Sequence, residues 1–88
     1  MKFTKEDKEL LKSWGHREED LNQLERATGT TKTTYEMNGK KISIDEAIEI
    51  LGRETYLSGI SRSAFHWSAC RENEKGQRVY FDSSKLFK

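Results

Sequence analysis

The dipeptide Asn38-Gly39 constrains this chain more than any other pair of residues. It follows a segment rich in β-branched residues, 31–37, and precedes a short return segment, 40–42. Both central residues of a tight type I′ turn need positive φ angles, which asparagine and glycine adopt most readily. The pair therefore predicts a two-residue β-hairpin near the middle of the chain.

A helix is predicted immediately after this hairpin. Ser43 and Glu46 have the spacing of a capping box, in which each side chain accepts a hydrogen bond from the backbone of the other residue. Gly52 ends the helix, and its apolar residues recur at helical spacing at Ile44, Ala47, Ile48 and Leu51. Residues 53–68 carry a second apolar stripe at helical spacing. They form either one helix or two short helices that are divided at Gly59.

Two helices precede the central hairpin. Thr4 is a favoured first residue for a helix that ends at Gly15. A second helix, about 17–27, opens with three acidic residues that suit the positive end of the helix dipole. These two segments predict a helical hairpin.

A second β-hairpin is predicted at the end of the chain, where 69–71 and 78–81 flank a polar turn. The predicted fold class is α+β. An N-terminal helical hairpin, a β-hairpin, central helices and a C-terminal β-hairpin form one small antiparallel sheet packed on helices. We expect a single domain over residues 1–88.

The apolar residues in phase with these elements predict the core. Only 33% of the residues are hydrophobic and 35% are charged, so this core must be small. Its predicted members are Leu10, Leu11, Trp14, Tyr35, Ile42, Ile44, Ile48, Leu51, Leu57, Ile60, Ala64, Trp67, Val79 and Phe81. In the central hairpin we expect Ile42 opposite Tyr35.

Composition points to a cytoplasmic protein. The single cysteine, Cys70, has no partner for an internal disulfide, and the chain shows neither an apolar leader nor an apolar run of membrane-spanning length. The net charge is +1, but residues 53–88 carry seven basic and four acidic residues. That excess is weak for a dedicated nucleic-acid binder and suits one phosphate group or an acidic patch on a protein.

Few residues suggest catalysis. His66 and Cys70 are four residues apart and predict a base and a nucleophile if one helix holds both. A helix end near Ser68 separates them, so an ordinary half-buried cysteine is the preferred interpretation. With His16 these are too few ligands for structural zinc. We expect no catalytic residues, no metal site and no cofactor.

The segment 58–63 combines small hydroxyl residues with a glycine. Open backbone N–H groups there, followed by a helix start, would favour a phosphate. The preferred alternative is a helix corner where small residues permit close packing. Arg62 and His66 lie four residues apart, opposite the apolar stripe and next to Phe65. They form either a contact patch or a solvated helix face.

A binding surface is nevertheless predicted in the second half of the chain. This half combines the basic excess, the small-residue segment and a polar helix face flanked by an aromatic residue. Arginine and tyrosine are also the residue types that most often dominate binding energy. The predicted binding residues are Arg53, Tyr56, Ser61, Arg62, His66, Arg71, Arg78 and Tyr80.

Five segments of the chain carry a resemblance to other proteins: 39–43, 46–54, 57–60, 62–69 and 81–87. In them the chain resembles small uncharacterised proteins encoded by gut Clostridia-type bacteria, their phages and mobile elements. Small phage proteins often inhibit or sequester components of host defence, including CRISPR nucleases and nucleotide messengers. The resemblance implies that context but supplies no site residues.

Three functions are expected from these features. The first is a non-enzymatic binding protein of a phage or mobile element that inhibits a bacterial defence protein, in the manner of an anti-CRISPR, by occluding a protein surface. The second is a nucleic-acid or nucleotide-binding module, including a sponge for a cyclic nucleotide. The third is an accessory domain that works as a homo-oligomer. Balanced overall charge favours the first, and the basic second half favours the second.

Overall fold

The computed structural model describes residues 2–28 and 33–84. Within these residues lie four helices and four strands. The helices are α1 (Lys5–Ser13), α2 (Glu18–Ala27), α3 (Ile44–Leu51) and α4 (Arg53–His66), and the strands are β1 (Thr34–Met37), β2 (Lys40–Ile42), β3 (Ser68–Glu72) and β4 (Arg78–Asp82). The predicted α+β fold is confirmed.

The two β-hairpins combine into one antiparallel sheet with the strand order β2-β1-β4-β3. They join because β4 pairs with β1, which places Tyr35 opposite Phe81. On its other side Tyr35 faces Ile42, as expected. Thr31 and Lys32, which were predicted to belong to the first strand, lie outside the described residues.

Local hydrogen bonds account for the element boundaries that the sequence predicts. Asn38 and Gly39 have φ angles of 55° and 79°, as a type I′ turn requires. The Ser43 hydroxyl accepts a hydrogen bond from the Glu46 backbone N–H at 3.1 Å, so the predicted capping box starts α3. At the start of α1, the Thr4 hydroxyl makes the equivalent bond to a backbone N–H.

Gly59 does not divide α4, which runs unbroken from residue 53 to residue 66. A Cβ atom at this position would overlap the ring of Phe81, so the missing side chain lets the helix approach the sheet closely. The expected close packing is found here, although inside a helix and not at a corner. Because the backbone N–H groups of 58–63 belong to a helix, the less favoured alternative, a backbone phosphate site at this segment, is wrong.

Three aromatic rings form the centre of the core. Tyr35 and Tyr56 share a hydrogen bond of 2.8 Å between their hydroxyl groups, and both rings contact Phe81 with centroid separations of 5.5 and 5.9 Å. Burial raises the pKa of Tyr35 to about 12. Tyr56 was predicted to lie on the binding surface, and that placement is wrong. Its ring lies on the sheet-facing side of α4 and is fully buried.

Most of the predicted core residues lie in or against the core. Seven are buried: Leu11, Tyr35, Leu51, Leu57, Ile60, Val79 and Phe81. Six more are partly buried against them: Leu10, Trp14, Ile42, Ile44, Ile48 and Ala64. The prediction is wrong for Trp67, which is 62% exposed because α4 ends one residue earlier. The core also contains Phe3, Leu21, Leu24, Ala27 and Ala47.

The two faces of the sheet differ in exposure. The helices pack on the face that carries Tyr35, Val79 and Phe81, all of them buried. On the opposite face, Glu36, Tyr80 and Cys70 are exposed, and the strand register aligns them in one row across β1, β4 and β3. One face of the sheet therefore completes the core, and the other presents side chains to solvent.

An ion pair fastens α1 to the start of α4. The Arg53 guanidinium donates to the Asp7 carboxylate through Nη2 at 2.6 Å and through Nε at 3.0 Å. Asp7 is buried, and it also accepts a hydrogen bond from the Thr4 backbone N–H at 2.9 Å. The hydrogen bonds from Arg53 hold the pKa of Asp7 below its ordinary value, against the opposing effect of burial.

Gly59→Ala is expected to destabilise the protein. Alanine normally stabilises a helix relative to glycine, but here its methyl group must displace Phe81, so we expect a loss of about 1–3 kcal/mol. Thermal unfolding measures the change. In a Phe81→Leu background the same substitution should cost less, since the smaller side chain leaves room for the methyl group. A higher melting temperature for Gly59→Ala alone would contradict the close packing.

Asp7→Asn tests the ion pair through its pH dependence. A carboxylate with a lowered folded pKa stabilises the fold above its ordinary pKa, and that stabilisation is lost as the pH falls through the folded pKa. The variant should lose about 1–3 kcal/mol near neutral pH, since a buried pair is broken but its arginine stays partly hydrated. The gap between the variant and the unmodified chain should narrow below about pH 4.

Chemical denaturation at several pH values measures this gap. Asp45→Asn is the matched control, because Asp45 is an exposed carboxylate in the first turn of α3. It should change stability by less than about 1 kcal/mol. A gap for Asp7→Asn that stays constant from neutral to strongly acidic pH would show that the Asp7 charge does not stabilise the fold.

Candidate functional site

A groove of about 350 Å³ lies where α4 meets the end of α1 and strand β3. We call it the basic groove, since two arginines and a histidine line it. Its lining residues are Trp14, Ser58, Ser61, Arg62, Phe65, His66 and Arg71. The end of α1, strand β3 and the stretch 58–66 of α4 therefore meet at this groove.

Arg71 is half-buried and fixed in position by neutral acceptors. Its Nε donates to the Ser58 hydroxyl at 2.8 Å, its Nη2 to the Ser58 carbonyl at 3.3 Å and its Nη1 to the Cys70 carbonyl at 2.9 Å. These bonds orient the guanidinium, and no carboxylate in the described part of the chain pairs with its charge. The remaining N–H groups are available to a ligand, since a guanidinium carries five donors.

Arg62 is exposed and lies one helical turn before His66, so both side chains project from the same side of α4. Within the described residues, neither Arg62 nor Arg71 forms an ion pair. The arginines that do so are Arg17 with Asp20, Arg53 with Asp7 and Arg78 with Glu72. Two uncompensated guanidinium groups thus line the same groove, which favours an anion there.

Ser61, which lines the groove, forms a buried polar pair with His16, which lies behind it. The His16 Nε2 lies 2.7 Å from the Ser61 hydroxyl, and the His16 ring stacks on Phe65 with a centroid distance of 4.4 Å. Burial lowers the pKa of His16, so the neutral imidazole is the form at neutral pH. The positive charge of the groove therefore comes from its rim.

The eight predicted binding residues do not form one surface. Arg62, His66 and Arg71 come together in the basic groove. Ser61 also lines the groove, but only 6% of it is exposed. Its prediction as a surface residue is wrong, because its hydroxyl is hydrogen-bonded to His16 below the surface.

The remaining four lie elsewhere. Tyr56 is in the core, and Arg53 is bonded to Asp7. Arg78 and Tyr80 lie on the exposed face of the sheet. The groove also contains a residue that the sequence placed in the core, Trp14. Its position just before Gly15, at the end of α1, is a weak sign that a large side chain lies at the edge of the core.

The two residues considered as nucleophile and base are separated, and the preferred interpretation of Cys70 as half-buried is wrong, because its side chain is exposed. His66 is the last residue of α4 and lines the basic groove, whereas Cys70 is exposed on β3 and lines a different cleft. Among residues 2–28 and 33–84, no three histidine, cysteine or acidic side chains are grouped as metal ligands would be. The same residues include no helix that is long and apolar enough to cross a membrane.

Comparison with protein-family models, with curated proteins and with solved structures finds no match to this chain. The chemistry of its surfaces is therefore the basis for inferring its function. The basic groove offers the fixed guanidinium of Arg71, the exposed guanidinium of Arg62 and one indole ring, which suit an anionic ligand with an aromatic part.

Proposed function

We propose that this chain is a non-enzymatic binding protein whose basic groove binds the phosphate group of a nucleotide. The observation that carries the proposal is that Arg62 and Arg71 line one groove without a carboxylate partner among the described residues. Guanidinium groups match phosphate oxygens in charge and geometry and bind them through paired hydrogen bonds.

The size and lining of the groove favour a nucleotide over a long nucleic acid. Its volume of about 350 Å³ lies at the lower end of the range for small-molecule sites. Trp14 offers a ring on which a base can stack, as aromatic side chains do in nucleic-acid-binding proteins. A long phosphate backbone needs many cations in a row, and the net charge of this chain is only +1.

A protein partner is the second candidate. Under it the chain belongs to a phage or mobile element and acts in the cytoplasm as an anti-CRISPR-like inhibitor that covers a surface of a bacterial defence protein. The observation that favours it is the exposure of Trp67 and Tyr80, since large aromatic side chains often anchor protein interfaces. In that case the aromatic residues, and not the groove, carry the binding.

Calorimetric titration with a panel of linear and cyclic mononucleotides tests the first proposal. We expect at least one nucleotide to bind. The corresponding nucleoside, which lacks the phosphate, should bind with an affinity lower by about tenfold or more. Arg62→Ala should weaken binding by about tenfold or more, because a charge-assisted hydrogen bond contributes about 1.5–3 kcal/mol. Binding should also weaken as the salt concentration rises.

Arg26→Ala is the matched control for this titration. It removes the same charge from an exposed position near the end of α2, outside the groove. Both variants should keep the melting temperature of the unmodified chain, and only Arg62→Ala should lose affinity. If Arg62→Ala binds as tightly as the unmodified chain, or if no nucleotide binds, the groove is not a nucleotide site and the protein-partner candidate stands.

A further inference from the structure

Arg62 and Arg71 bring two positive charges to the basic groove, and no acidic side chain offsets them. Every aspartate and glutamate of the sequence lies within residues 2–28 and 33–84, and none of them forms an ion pair with either arginine. No acidic residue in this part of the chain lines the groove. A guanidinium also keeps its charge at every pH used for binding. The groove therefore presents two permanent positive charges to a ligand.

Arg71 keeps part of its guanidinium for a ligand. Its Nε–H and one Nη2–H are both directed at Ser58, and one Nη1–H is directed at the Cys70 carbonyl. Of the five N–H groups of a guanidinium, two therefore remain, one on each terminal nitrogen. The Ser58 hydroxyl is itself fixed, because it donates to the Thr55 carbonyl at 2.7 Å. Arg71 can thus donate two hydrogen bonds to an anion without leaving its position.

Arg62 reaches the same groove from α4 and keeps all of its donors. Its side chain is exposed, and it forms neither a hydrogen bond nor an ion pair with the rest of the described chain. Because nothing holds this guanidinium, it can adjust to an anion that Arg71 has already fixed. One held and one movable guanidinium, on β3 and α4, can therefore bind a single anion from two sides.

The two kinds of phosphate group found in nucleotides do not match this pair of arginines equally. Above its second pKa of about 6, a phosphate monoester carries close to two negative charges on three terminal oxygens. Two guanidinium groups neutralise it, and each can bind a different pair of its oxygens. A phosphodiester, such as a 3′,5′-cyclic nucleotide, carries one negative charge on two free oxygens. It leaves one positive charge unmatched and offers a single pair of oxygens to both guanidinium groups.

We infer that the basic groove selects a nucleotide with a phosphate monoester, such as a nucleoside 5′-phosphate, over cyclic nucleotides and other diesters. This inference rests on the proposed nucleotide function and narrows it to one chemical class of ligand. The volume of the groove, about 350 Å³, suits a single mononucleotide. The charge and the oxygen count of the phosphate group, read by Arg62 and Arg71 together, determine the selection.

Calorimetric titration of the full chain at about pH 8 with matched ligands tests this selection. Each of the four common nucleoside 5′-phosphates is compared with its methyl ester, which keeps the base and the sugar but has one charge and one terminal oxygen fewer. The 3′,5′-cyclic phosphates of the same nucleosides are the second comparison. For the nucleoside that binds most tightly, we expect the 5′-phosphate to bind about tenfold more tightly than either diester, because the diester loses a charge-assisted contact.

Arg71→Ala shows whether the second arginine produces the preference. The variant should lower the affinity for the 5′-phosphate about tenfold and the affinity for its methyl ester by less than about threefold, so most of the preference should disappear. Arg26→Ala, the exposed control on α2, should retain the preference. Thermal unfolding checks that both variants are folded. If Arg71→Ala does not fold, Arg62→Ala replaces it, because the side chain of Arg62 is exposed.

A failure of this inference is distinct from a failure of the proposed function. Equal affinity for the 5′-phosphate and its diesters, with binding that still requires Arg62, would overturn the inference and leave the nucleotide function in place. A tenfold preference that persists in a folded Arg71→Ala variant would also overturn it, because the pair of arginines would not be its cause. If no nucleotide of either kind binds, the proposed function fails and the inference fails with it.

Discussion

The close contact between Gly59 and Phe81 is the interaction on which the rest of this structure depends. It brings α4 against the sheet at a distance that no other amino acid at position 59 permits without a shift. With the helix in that position, Tyr56 reaches Tyr35 and completes the aromatic core. The opposite side of the same helix is held next to β3, so Arg62 and Arg71 line one groove. One contact therefore organises both the core and the candidate site.

The arginines of this chain differ in the kind of group that holds them. Arg53 and Arg71 are both held by several hydrogen bonds, but the acceptors of Arg53 belong to a buried carboxylate and those of Arg71 are a hydroxyl and two carbonyls. A carboxylate neutralises its arginine and completes the fold. Neutral acceptors fix the geometry of the guanidinium and preserve its charge for a ligand, which is how binding sites are commonly preorganised.

The sequence predicts those parts of the fold that short-range chemistry determines. Asn38-Gly39 and the capping box at Ser43 have local causes, and the structure contains both. The exposure of Trp67 and the burial of Tyr56 could not be predicted in this way. Helical spacing places Trp67 on the apolar stripe, but it does not show that α4 ends at residue 66. Likewise Tyr56 resembles a surface residue until its partner, Tyr35, is known to lie across the core. For the site, spacing predicted Arg62 beside His66, whereas the approach of Arg71 depends on the path of β3.

We infer that Arg62 and Arg71 act together as one anion site on α4 and β3. It is tested most directly by observing the side-chain Nε–H resonances of all the arginines in the 15N-labelled chain during a titration with inorganic phosphate. If the two arginines form one site, the resonances of Arg62 and Arg71 shift together with the same midpoint, while those of Arg17 and Arg26 remain in place. Equal small shifts of every arginine, or a shift of Arg62 without Arg71, would contradict it.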